Sequence, residues 1–196
     1  ADVLAAVTSP KIFIVPVLVS NGVFTDEILP QKLGGLRQGR QIVVCEPVGS
    51  HPDMAQIILS QARTAMKNDK IDFQQTSLLL VAHGSEKNAQ AAIVAREQAE
   101  RIRALKGFGE CRALFMAQEP LVRDWAQRAA LPNVVVVPFF MANGKHVRED
   151  IPALLGIPAG LLNRSFKTQN KHLWVAEPVV ASPMLLNVIL DRIKSA

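Results

Sequence analysis

The chain reads as an α/β protein of two pseudo-repeated three-layer α/β/α units with parallel sheets, the first unit incomplete. Three observations carry this. Short apolar, β-branched runs alternate with segments of helical periodicity along all 196 residues, the pattern of right-handed βαβ crossovers. A stretch near the start, Pro10 to Pro30 (PKIFIVPVLVSNGVFTDEILP), aligns without a gap with Pro132 to Pro152 (PNVVVVPFFMANGKHVREDIP) at an offset of 122. Farther on, at an offset of 131, Glu46-Pro47-Val48 matches Glu177-Pro178-Val179, Pro52 matches Pro183, and Ile58-Leu59 matches Ile189-Leu190, so one unit occurs twice.

Taken in order, ADVLAAVTS reads as the last turns of a helix, stopped by Pro10. Lys11 to Val19 is a continuous apolar run of the kind a parallel sheet buries on both faces, and Asn21-Gly22 ends it. Thr25 to Leu33 is a short helix closed by Gly34-Gly35. Gln41 to Val48 is the next strand, and Pro52 at a first helical position leads into Asp53 to Asn68, with Met54, Ile57, Ile58, Ala62 and Ala65 as its apolar stripe. Ser77 to Ala82 is a strand ending at His83-Gly84-Ser85. A long helix spans Glu86 to Leu105, with apolar residues at Ala91, Val94, Ala95, Ala99, Ile102 and Leu105 and a stop at Gly107. Arg112 to Met116 is a strand, Pro120 to Ala129 a helix, Val134 to Met141 a strand and Val147 to Leu155 a helix. A Gly-, Pro- and Asn-containing connection runs to Asn170, and the nine residues by which the offset grows fall around Gly160 to Asn170. Leu173 to Val179 is the last strand, and Ser182-Pro183 opens the last helix.

The second copy has 56 residues, Thr76 to Leu131, ahead of Pro132, whereas the first has nine ahead of Pro10. The repeat therefore places about 47 residues of the first copy upstream of Ala1. The expected division is residues 1–72 as the C-terminal part of the first half and 73–196 as the complete second half.

Composition narrows the function. A hydrophobic fraction of 49% suffices for a packed core. The apolar runs are far shorter than the roughly 20 residues of a membrane helix, and the first residues lack a secretion signal, so a cytoplasmic or organelle-interior location is expected. Cys45 and Cys111 have no CxxC spacing and read as buried thiols. The net charge of +5 suits an acidic ligand, but with no Tyr and 5% aromatics a base-stacking surface is poorly supplied. A small polyanion is the expected partner rather than nucleic acid.

Four histidines are available for chemistry. His83 ends one parallel strand and His146 lies just past the end of another, both on the carboxyl side of the sheet, where open α/β folds bind ligands. Each has the plainer reading of a hydrogen-bonded loop residue. His51 reads as capping a helix start and His172 as solvated. The repeat supplies an internal control: the Asn-Gly turns, Glu46 and Glu177, and Glu27 and Glu149 occur in both copies and belong to the fold. His146, by contrast, is matched by Phe24. An imidazole facing an apolar ring at the equivalent position is what one site served by two halves leaves, with Phe24 as cleft lining.

Three elements, LLLVAHGS, VVPFFMANGKHVREDIP and EPVGSHP, taken at repeat spacing, resemble the CbiX and SirB group of class II tetrapyrrole chelatases over nearly the whole chain. The resemblance implies insertion of cobalt or iron into sirohydrochlorin, towards cobalamin or sirohaem, with the motif histidines falling on His83 and His146. The family often carries an acidic residue after the second strand in a Phe-Leu-Glu context; here the chain reads Phe115-Met116-Ala117-Gln118-Glu119-Pro120, so that either Glu119 substitutes from a shifted position or the role is lost. In long bacterial forms the working histidines usually lie in the first half, whereas the complete pair here lies in the second.

The chemistry suits these residues. Neutral imidazole binds cobalt, iron and nickel, and its ordinary pKa of about 6.5 lets it take a proton near neutral pH. Two such ligands make a transient site, where a four-ligand cage would retain the metal. Lys145 and Arg148 flank His146 and suit the carboxylates of a tetrapyrrole rim, with Lys87 behind His83; each also reads as a solvated charge. Ser85 reads first as the cap of the following helix and is a candidate substrate contact. No organic cofactor is expected, and a homo-oligomer is compatible with the sequence. A non-catalytic metal or tetrapyrrole carrier and a histidine phosphatase are the alternatives; for the latter, Ala82 stands where an arginine usually precedes the histidine.

Overall fold

The computed structural model describes residues 6–34, 39–85 and 89–196. The readings for residues 1–5, Gly35, the helix start at Glu86 and Lys87 lie outside them.

A two-stranded parallel sheet joins β1 (Lys11–Ile14) to β2 (Gln41–Val44). Five further strands, β3 (Thr76–Ala82), β4 (Glu110–Phe115), β5 (Asn133–Pro138), β6 (Ser165–Thr168) and β7 (Lys171–Val175), form a second sheet in the order β4-β3-β5-β7-β6. Every pairing in it is parallel except β6 with β7. The helices are α1 (Leu29–Gly34), α2 (Met54–Ala65), α3 (Gln90–Ala104), α4 (Trp125–Arg128), α5 (Ile151–Leu155) and α6 (Leu185–Lys194).

Successive strand residues point to opposite faces, and here both faces are covered. Leu78, Leu80, Val135, Val137 and Trp174 pack with Met54, Ile57, Ile58, Ala95, Ala99 and Ile102 from α2 and α3. Leu79, Val81, Val134, Val136, Leu173 and Val175 pack against Trp125, Ile151 and Leu155 on the other side. Three α/β/α layers follow, which is why the β3 and β5 sequences are continuously apolar rather than alternating.

The structure departs from the sequence reading in several elements: the run Lys11 to Val19 forms a strand only over Lys11–Ile14 and, in a two-stranded sheet, is part-exposed rather than buried on both faces. The connection around Gly160 to Asn170 contains β6, which returns antiparallel along β7. The two residues between them, Gln169 (φ 49°) and Asn170 (φ 58°), both adopt left-handed backbone, as a two-residue primed hairpin turn requires. Gln is a poor signal for that conformation, so the turn was not legible.

The repeat reappears in the backbone. A π-helical turn at Phe24–Ile28 runs into α1, and its counterpart at His146–Asp150 runs into α5. A 3-10 turn at Val48–Ser50 matches one at Val179–Ala181. The sequence reading expected plain helix at both wide turns. The prolines one residue into the following helices, Pro30 and Pro152, explain the difference: a proline ring collides with the carbonyl four residues back, and widening the preceding turn relieves it. In the second copy that carbonyl, Arg148 O, accepts instead from Gly160 N at 3.1 Å.

The two segments also interlock. Helix α2, from the first copy, packs on the five-stranded sheet, and Gln61 Nε2 donates to Pro178 O at 3.0 Å. Reciprocally, Arg192 Nη2 on α6 donates to Pro47 O at 2.9 Å. At the offset of 131, Gln61 matches Arg192 and Pro47 matches Pro178, so the same link is made twice with different donors.

Candidate metal-transfer site

β3 ends at Ala82, and His83 is the next residue. Its backbone is held by the prolonged edge of β4: Met116 N and Ala117 N donate to His83 O at 3.1 and 2.9 Å. Gly84 then turns the chain at φ 71°, a conformation glycine adopts without steric cost. A Cβ there would also lie 2.7 Å from Gln118 Cγ. Gln118 Oε1 accepts from Ser85 N at 2.7 Å, so the loop carrying His83 is gripped from below by one amide side chain.

On the neighbouring strand, β5 leads through Phe139, Phe140 and the Asn143-Gly144 turn to the π-helical turn at His146. The Gly144 carbonyl accepts from both Val147 N and Arg148 N at 3.1 Å, and buried Val147 pins the turn to the body. His146 is thereby left exposed at its start.

The two imidazoles meet edge to face, with ring centres 5.1 Å apart and planes at 71°; Phe140 lies 6.1 Å from the His146 ring. With metal–nitrogen bonds of about 2.1 Å, two imidazoles on one tetrahedral ion have ring centres about 5 Å apart, which matches this separation. The tautomers follow from the partners. His83 Nδ1 lies 2.6 Å from Gly84 O; a carbonyl only accepts, so Nδ1 carries the proton and Nε2 the lone pair. His146 Nδ1 lies 2.7 Å from Asp150 Oδ2 and donates to that carboxylate, again leaving the lone pair on Nε2. Among the described residues no group of three or more His, Cys, Asp and Glu gathers as a metal cluster.

The remaining sequence candidates are placed as follows. Lys145 and Arg148 are exposed beside His146, and Arg148 Nε donates to Asn143 Oδ1 at 3.4 Å. Ser85 is half-buried; α3 is described from Gln90, and residues 86–88, where the sequence places the helix start, lie outside the described residues. Glu119 is exposed, and its carboxylate accepts from Leu121 N at 3.3 Å and faces Arg128 at 3.5 Å. Phe24 is 50% exposed and lines a shallow hollow of about 250 Å³ with Leu18 through Thr25. A separate cavity of about 600 Å³ opens at the amino-terminal end of the sheet, beside Asn133, Lys167 and His172, and contains neither site histidine.

His172 is half-buried with its ring 3.8 Å from that of Trp174, and burial lowers its pKa; it is not the solvated residue the sequence suggested. His51 is buried, with Nδ1 accepting from Asp53 N at 3.1 Å and Nε2 donating to Asp191 at 2.9 Å, a structural role consistent with helix-start capping.

Two residues escaped the sequence reading. Gln118 left no local signal, because nothing in the chain pairs it with Ser85. Asp150 did leave one: at the offset of 122 its counterpart is Ile28, so histidine and carboxylate are replaced together in the first copy.

The fold is that of a class II chelatase. The chain matches the CbiX family over residues 2–65 and 77–196, and it belongs to that family. It is 28% identical over 222 aligned residues, covering 100% of this chain and 75% of its relative, to a probable sirohydrochlorin cobaltochelatase of Halobacterium salinarum. A sirohydrochlorin cobaltochelatase of Methanopyrus kandleri is 29% identical over 138 residues, 61% of this chain and 96% of that protein. Among solved structures, CbiX, the terminal enzyme for biosynthesis of siroheme in denitrifying bacteria, superposes with a TM-score of 0.76 at 26% identity over 96% of this chain and 77% of its own. SirB from Bacillus subtilis with Fe3+ shares the fold, with a TM-score of 0.71 at 14% identity over 96% of this chain and 72% of its own.

Proposed function

We propose that this chain inserts a divalent metal into sirohydrochlorin or a related tetrapyrrole, as in cobalamin or sirohaem biosynthesis, at the His83–His146 pair. The observation that carries the reading is the pair itself: two imidazoles from different strand ends, ring centres 5.1 Å apart, each tethered at Nδ1. Both Nε2 lone pairs serve first as ligands to the incoming ion. As the ion passes to the macrocycle the lone pairs are released, and two pyrrole protons must leave. The freed imidazoles are where those protons go. Two ligands hold the ion weakly enough for transfer.

Sirohydrochlorin is a polycarboxylate, which suits Lys145 and Arg148 at the rim; Ser85, Glu119 and Phe24 complete the proposed substrate contacts. Cobalt and iron are the favoured ions, and nickel is chemically accessible to the same ligands. The two halves, residues 1–72 and 73–196, share this one site.

The test is anaerobic insertion of cobalt, iron and nickel into sirohydrochlorin, followed by absorbance, for this chain and for His83→Ala and His146→Ala. Insertion above the spontaneous rate, reduced about 100-fold or more by either substitution, is expected. Cobalt binding without faster insertion would replace the enzyme by a carrier.

A further inference from the structure

The structure assigns to Asp150 the task of setting the His146 tautomer, making His146–Asp150 a carboxylate–histidine dyad in which the carboxylate is a positioning residue. The inference rests on the chelatase reading for its purpose but not for its geometry. Asp150 Oδ2 lies 2.7 Å from His146 Nδ1, across one turn of the π-helical segment His146–Asp150. A carboxylate with no proton of its own can only accept there, so the ring proton is fixed on Nδ1 and Nε2 keeps its lone pair. Left alone, a neutral histidine ring favours the opposite tautomer, with the proton on Nε2, which would close the ligand position. A carboxylate on the far nitrogen also makes the imidazole a stronger donor to a metal.

The first copy shows that this is not a demand of the fold. The same π-helical turn occurs at Phe24–Ile28, with the same glycine carbonyl gathering it: Asp26 N donates to Gly22 O at 2.9 Å as Arg148 N does to Gly144 O at 3.1 Å. The backbone persists while both members of the pair are apolar, Phe24 for His146 and Ile28 for Asp150. If Asp150 served only to shape the turn, the turn at Ile28 would need its own acid there. It has none, and it is formed, with Thr25 Oγ1 hydrogen-bonded to Gly22 N at 2.8 Å and Gly22 O at 2.9 Å where the second copy has buried Val147. A pair absent together from one copy and present together in the other is a functional unit. His83 reaches the same tautomer by another route, through the Gly84 carbonyl at 2.6 Å, so both ligands present Nε2 but only His146 is backed by a charge.

The decisive experiment compares the chain with Asp150→Ile, which installs the first copy's residue, Asp150→Asn and Asp150→Glu. With 15N-labelled histidine and no metal, two-bond 1H–15N spectra report which ring nitrogen is protonated. His146 should carry its proton on Nδ1 in the parent and shift towards Nε2–H in Asp150→Ile. Cobalt affinity, measured without tetrapyrrole, should fall about 10- to 100-fold, while the melting temperature holds because the turn does not depend on the acid. Asp150→Asn still offers an acceptor oxygen, so it should keep the tautomer and lose only part of the affinity, and Asp150→Glu should recover most of both. An Asp150→Ile protein with His146 still protonated on Nδ1, and cobalt affinity within twofold of the parent, overturns the assignment. Cobalt insertion by the parent is scored separately: if it fails while the tautomer shifts as expected, the chelatase reading falls and the dyad stands.

Discussion

The Gly84→Ala substitution tests the loop that carries His83. Gly84 is buried at φ 71°, and a methyl group there would sit 2.7 Å from Gln118 Cγ, 3.0 Å from Phe115 Cβ and 3.1 Å from Gln118 Oε1. If the backbone holds, the left-handed conformation costs about 1–2 kcal/mol and the forced contact about 1–3 kcal/mol. A loss of about 2–5 kcal/mol on the two terms together is a large part of the roughly 5–15 kcal/mol of a typical domain. If the backbone gives instead, the stability loss is smaller, but Gly84 O moves, and that oxygen fixes the His83 tautomer. Stability or metal transfer must therefore suffer. Urea unfolding and cobalt insertion on the same sample read both. Adding Gln118→Ala removes the nearest obstacle, so the double variant should lose less than the sum of the singles, the mark of direct contact. A Gly84→Ala protein with an unchanged urea midpoint and an unchanged insertion rate would refute the account of this loop.

Two further outcomes follow from groups at the opposite end of the sheet and in the core. Burial pushes the Glu110 carboxyl up, but hydrogen bonds from Ser77 Oγ, Arg112 and Ala130 N, with the Arg112 charge, outweigh it and leave the pKa lowered. Because the folded value lies below the unfolded one, this group's contribution to stability is complete above about pH 4.5 and is lost as pH falls through the folded pKa. Glu110→Gln should therefore be less stable than the parent at pH 7, with the gap closing below about pH 4.5 in urea titrations; parallel curves would remove the cause. Cys111 is 2% exposed, and burial pushes its thiol up to about 12. In a Cys45→Ser background it should react with a disulfide reagent at pH 8 only at the rate of global unfolding, since the thiolate is the nucleophile; prompt labelling of the native protein would count against the packing around β4.

What was legible in the chain depended on whether the signal was periodic or contextual. The continuous apolar runs at Leu78–Val81 and Val134–Val137 announce buried parallel strands, and the gapless repeat announces equivalent turns. Phe24 against His146 pointed to one working histidine turn. The wide geometry of that turn was not legible, because it arises from a proline ring two residues beyond it meeting a carbonyl. Nor was β6, whose hairpin turn places Gln169 where Asn or Gly is the usual sign. Gln118 illustrates the limit best: its grip on Ser85 joins residues 33 apart, and no local pattern in the chain announces that pairing.

The two copies kept their shared geometry because each is structurally committed to the other. Helix α2 supplies Met54, Ile57, Ile58 and Ala62 to the core above the five-stranded sheet, and those side chains are essentially inaccessible; α6 returns the contact through Asp191 to buried His51 and through Arg192 to Pro47 O and Ser50 Oγ. Removing a buried Ile or Met costs about 2–5 kcal/mol, so selection on folding alone holds this exchanged pair in place. No such constraint protects the exposed first positions of the two π-helical turns. Phe24 is half-exposed and His146 is exposed, and either side chain leaves Thr25 or Val147 to pin the turn beneath it. Backbone equivalence with side-chain divergence is therefore the expected result wherever a duplicated fold needs two scaffolds and one metal-transfer site.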